Sequence, residues 1–73
     1  MTTFEEFHDR CVWTVRGRKR TATITRHHHG CRWTVEDRRG VIAAAADESS
    51  TGETDAQAWE RMLAVAHKIT SRR

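Results

Sequence analysis

The sequence predicts an α+β domain: an antiparallel β-meander of three to four strands with a C-terminal helix packed on one face. Three observations carry that expectation. The stretch Cys11-Val12-Trp13-Thr14-Val15 returns as Cys31-Arg32-Trp33-Thr34-Val35. In both copies Cys, Trp and Val fall on alternate positions, the period of a strand with one dry face. Polar tetrapeptides, each containing a glycine, separate the apolar runs at Gly17–Arg20, His27–Gly30 and Asp37–Gly40, as hairpin turns require. After Thr54 the apolar spacing changes to that of an amphipathic helix.

The elements follow in order. Thr2 to Phe7 admits two readings. One is a single helical turn with Thr3 and Glu6 as a capping box; the other is a tail with Phe4 and Phe7 tucked onto the sheet. Strand one is expected over Cys11 to Arg16 and strand two over Thr21 to Arg26. In strand two Ala22 and Ile24 face the core, and Thr21, Thr23 and Thr25 face water. Gly30 can supply a positive φ in the next turn. Strand three is the second copy, Cys31 to Glu36, and Val41 to Ala46 reads as a fourth strand. Its alanines are poor strand formers, so a helix is the alternative there. Small side chains at those positions leave room for a bulky neighbour. Asp47 to Thr54 is a polar loop. Thr54 and Gln57 then form a capping box for a helix over Asp55 to Thr70, with Trp59, Met62, Leu63, Ala66 and Ile69 on one face.

A chain of 73 residues suits one domain, 1–73, in which only about 60% of the unfolded surface can be buried. A thin core and an open sheet edge predict a homodimer, formed through strand four or through the helix near Met62 and Val65. No apolar run approaches the ~20 residues of a membrane span, and no signal segment is apparent. The expectation is a soluble, cytoplasmic protein. Basic residues are nearly all Arg, and Asn and Tyr are absent, the bias of a GC-rich bacterial or phage genome.

Charge is unevenly placed. From Cys11 to Gly40 eight basic residues face two acids, and from Val41 to Glu60 five acids face no base. Such a dipole suits either a nucleic acid or an acidic protein partner. The candidate nucleic-acid contacts are Arg16, Arg18, Lys19, Arg20, Arg26, Arg32, Arg38 and Arg39. Trp13 and Trp33 share the parity of the core residues, so they read as core side chains rather than base-stacking platforms.

His8, Cys11, His27 and Cys31 have spacing that resembles a zinc-ligand set. The strand parity of both cysteines argues for buried free thiols instead, with strand two between them and Cα atoms ~10 Å apart, too far for a disulfide. No cofactor is expected. There is neither a nucleophile elbow nor a phosphate-cradling glycine loop, so no catalytic residues are assigned.

From Arg20 to Ile69 the order of features resembles the HicB-type antitoxin domain. The residues that carry it are Ala22-Thr23-Ile24, Gly30, Trp33-Thr34-Val35, Gly40, Gly52-Glu53-Thr54 and Ala58. The chain departs from that pattern in an added N-terminal strand and in lacking the Pro and Gly-Cys before the last strand. The resemblance implies a degraded RNase H-like sheet used for protein–protein contact and dimerisation. The function expected from all this is a small non-enzymatic protein-interaction module, phage or bacterial, that binds or inhibits a host or cognate protein. The alternative is a nucleic-acid binder acting through the Arg-rich turns.

Overall fold

The computed structural model describes residues 2–47 and 52–71, apart from the side chain of Cys31. Among them are five strands, β1 (Thr2–Glu6), β2 (Arg10–Arg16), β3 (Thr21–His27), β4 (Arg32–Asp37) and β5 (Ile42–Asp47), a short 3-10 turn (His29–Cys31), and one helix, α1 (Asp55–Thr70). The strands lie in the order β1-β2-β3-β4-β5, each antiparallel to the next. The meander with a C-terminal helix on one face is the α+β architecture expected, with five strands rather than three to four.

The additional strand is β1, which replaces both the helical turn and the loose tail. Thr3 and Glu6 do not cap a helix; they pair with Thr14 and Cys11 of β2. A capping box contributes about 1 kcal/mol, and a helix of one turn cannot offset its nucleation cost. The outer edge of β2 instead offers a complete backbone ladder, and the Phe4 ring meets Trp13 at 5.1 Å.

Cross-strand register fixes the two faces. Val15 and Ala22, Trp13, Ile24 and Val35, and Trp33 and Ala46 stand opposite one another on the helix side. The core consists of Val15, Ala22, Ile24, Trp33, Val35 and Ala46 from the sheet and Ala58, Met62 and Ala66 from α1. Ala46 provides the space expected beside a bulky residue: it pairs with Trp33, and pairing along β4 settles Ile42–Asp47 as strand. On the face away from the helix, Thr25 and Thr34 are only 8% and 4% exposed. Thr25 therefore does not face water as expected. It sits mid-sheet between Val12 and Thr34, with Ala45 beyond, where lateral neighbours exclude solvent.

His27 pairs with Arg32, which leaves only His28 to Cys31 to reverse the chain. Cys31 consequently belongs to the 3-10 turn, not to a strand, and β4 begins one residue later. Gly30 has the positive φ anticipated, +77°.

Helix α1 starts where the capping box placed it. Thr54 Oγ1 accepts from the Gln57 backbone N–H at 3.2 Å, and Gln57 Oε1 accepts from the Thr54 N–H at 3.0 Å. Its buried stripe runs Ala58, Met62, Ala66, flanked by Trp59, Leu63, Val65 and Ile69. Thr54→Ala is expected to cost about 1 kcal/mol, measurable as a lower urea midpoint with an unchanged slope; an unaltered midpoint would show that the cap is redundant.

Candidate functional site

In an antiparallel meander alternate turns emerge at the same end. The β2–β3 turn, closed by a Gly17 N–H to Arg20 carbonyl bond of 2.9 Å, therefore lies beside the β4–β5 turn. Asp37 organises the latter. Its Oδ1 accepts from the N–H groups of Arg39 at 2.8 Å and Val41 at 3.0 Å, an Asx-type arrangement that holds Arg38 and Arg39 out into solvent. The last turn of α1 reaches the same end, close against Gly17.

These three segments enclose a groove of about 980 Å³. Half-buried Val65 and Ile69 of α1, with Val41 and Ala43, give it an aliphatic lining. Lys19, Arg20, Arg38, Arg39 and Lys68, all exposed, surround that lining with a net positive charge, Asp37 being the acid among its lining residues. The carbonyl end of the helix dipole favours a cation at Lys68. The arrangement offers an anion-attracting rim beside a partly exposed aliphatic surface.

Six of the eight sequence-derived contacts, Arg16, Arg18, Lys19, Arg20, Arg38 and Arg39, lie at this end, with Lys19, Arg20, Arg38 and Arg39 lining the groove. Arg26 and Arg32 are at the opposite end of their strands. Arg26 faces the helix side, 3.2 Å from each carboxylate oxygen of Asp55 and 5.7 Å over the Trp33 ring. Its guanidinium joins β3 to the start of α1 and serves the fold. Arg32 is exposed opposite Asp47. Lys68 was missed by the sequence reading because only the tertiary packing brings the helix end to the turns.

Trp33 is a core residue and Trp13 a partly buried one packed against the core, both on the helix side that their parity indicated. Trp13 and Trp33 stack at 5.8 Å with planes 17° apart, and Trp59 closes the cluster at 4.9 and 6.2 Å from them.

Cys11 departs from expectation. It is a free thiol, but half-buried rather than enclosed. Its Sγ lies 3.3 Å from His28 Nε2 and 3.8 Å from Glu6 Oε2. Partial burial, and then the Glu6 carboxylate, raise its pKa, which disfavours the nucleophilic thiolate. His27 and Cys11 fall on opposite faces, because Cys11 pairs with Arg26, the neighbour of His27. The spacing His8, Cys11, His27, Cys31 thus does not converge through its described members, and among the described residues no three His, Cys, Asp or Glu side chains are grouped to hold a metal ion. Among the same residues no helix is long and apolar enough to cross a membrane.

The chain matches no family model, no curated protein and no solved structure.

Proposed function

We propose that the protein is a small non-enzymatic protein-interaction module whose groove takes an acidic partner segment anchored by aliphatic side chains. The observation that carries this reading is the aliphatic lining of Val41, Ala43, Val65 and Ile69 within a rim of five cations. Rim charges speed and orient encounter, and burial of apolar anchors supplies the lasting affinity. Nucleic-acid bases call for exposed aromatic rings; the groove lining holds no aromatic residue, and the exposed rings of Phe4 and Phe7 are not part of it. The HicB-type resemblance also favours a protein partner, host or cognate.

A second reading keeps the same end of the molecule. Arg16 and Arg18 extend the rim beyond the groove, and such a surface could follow a phosphate backbone. One titration series separates the two. A labelled peptide of alternating Glu and Leu should bind, and Lys19→Glu with Arg39→Glu should weaken it roughly tenfold or more. A generic single-stranded DNA should bind weakly even at low salt. Tight DNA binding that falls steeply with salt, without peptide binding, would transfer the function to nucleic acid; binding of neither would sink both readings.

A further inference from the structure

Among the described residues the large hydrophobic side chains left exposed are Phe4 (55%), Phe7 (38%), Val41 (59%) and Ile42 (52%). They fall at two places of opposite charge. Val41 lines the groove among Lys19, Arg20, Arg38, Arg39 and Lys68, and Ile42 follows it in the chain. Phe4 and Phe7 bracket Glu5 and Glu6, with no Lys or Arg from Thr2 to Phe7. Every residue of β1 is exposed, because β1 is an edge of the sheet and α1 lies over β3 and β4, away from it. Both sets of charges are available. Among the described residues no ion pair engages Glu5, Glu6 or the five groove cations, and Glu6 meets only the Cys11 Sγ, at 3.8 Å.

We infer, resting on the groove reading above, that the acidic segment the groove takes is Phe4 to Phe7 of a second copy of this chain. The groove calls for carboxylates beside apolar anchors, and Phe4-Glu5-Glu6-Phe7 supplies both within four consecutive residues. Phe4 settles on the aliphatic lining of Val41, Ala43, Val65 and Ile69, and the carboxylates meet cations from both turns and the helix end. One chain does not satisfy itself. β1 is held along its length by β2 at one edge of the sheet, whereas Val41 and Ala43 bring the groove to the other edge. The contact is therefore heterologous, and copies add head to tail rather than closing as a symmetric pair. The helix surface near Met62 and Val65, an interface anticipated from sequence, does not serve as such. Met62 is fully buried, and Val65 belongs to the groove lining.

One short segment in one groove is a small contact, so association in the micromolar range is expected. Sedimentation equilibrium from about 1 to about 100 μM should show a mass rising above the 8.5 kDa of one chain. Glu5→Lys with Glu6→Lys, and separately Lys19→Glu with Arg39→Glu, should each stay at the mass of one chain, with circular dichroism like wild type. Mixed in equal amounts the two variants should associate again, because each strand then finds a groove of opposite charge. A wild-type mass of 8.5 kDa throughout, a variant that associates as tightly as wild type, or a mixture that stays as single chains overturns the pairing. The alternating Glu and Leu peptide separates this pairing from the groove reading. In excess it should return wild type to single chains, and peptide binding that leaves the assembly intact also overturns the pairing. If the peptide binds a wild-type protein that never self-associates, the groove reading stands and the pairing falls.

Discussion

Trp33→Ala is expected to leave the protein largely unfolded at room temperature. Trp33 is 3% exposed at the centre of the core, stacked on Trp13, angled against Trp59 and covered by the Arg26 guanidinium. Truncation of a buried aromatic typically costs about 3–5 kcal/mol through lost transfer free energy and the cavity left behind. Its cross-strand neighbour is Ala46, too small to fill the space. A domain of this length has only about 4–11 kcal/mol in total, and a thin core places it toward the lower end. Urea unfolding followed by the fluorescence of the remaining tryptophans measures the loss. Trp33→Phe is the control: it keeps a ring and removes Nε1, which is buried without a hydrogen-bond partner among the described residues, so it should cost distinctly less. An alanine variant less stable by under about 1 kcal/mol would show that the tryptophan cluster is not the centre of the core.

Gly17→Ala carries the second largest effect. A Cβ there would collide with the Thr70 carbonyl oxygen and come within 2.7 Å of Thr70 Cβ. Neither side can yield easily. The turn is closed by the Gly17–Arg20 bond, and the helix end by Ser71 N–H donating to the His67 carbonyl at 2.9 Å. Overpacking against backbone costs about 1–3 kcal/mol, and in a domain this small each kcal/mol lowers Tm by about 4–8 °C. Relief requires the last turn of α1 to lift, which displaces Val65, Lys68 and Ile69 from the groove. The variant should therefore also bind the acidic peptide more weakly, whereas Arg18→Ala, on the same turn but exposed, should leave Tm unchanged. An unaltered Tm in Gly17→Ala would mean that the helix end is not seated on the turn.

What the sequence determined by itself was local or periodic. The alternation around Trp13 and Trp33 assigned both to the helix side of the sheet, Thr54 and Gln57 marked the helix start, and Gly30 marked a left-handed turn, because each signal resides within a few consecutive residues. The parity of β3 also held an unused signal: Arg26 is in phase with Ala22 and Ile24, and so had to face the helix. Tertiary structure decided the rest. Thr2–Glu6 is a strand because the edge of β2 offers its backbone partners, and a five-residue segment carries too little intrinsic preference to choose for itself. Thr25 is buried by neighbours brought beside it from other strands. Cys11 meets His28 and Glu6 because two different turns converge at one end of β2. The groove depends on meander parity, which puts two distant turns at the same end, and on the seating of α1 against Gly17, which adds Lys68. Spacing along the chain cannot encode these meetings, because each is set by where separate elements end in space.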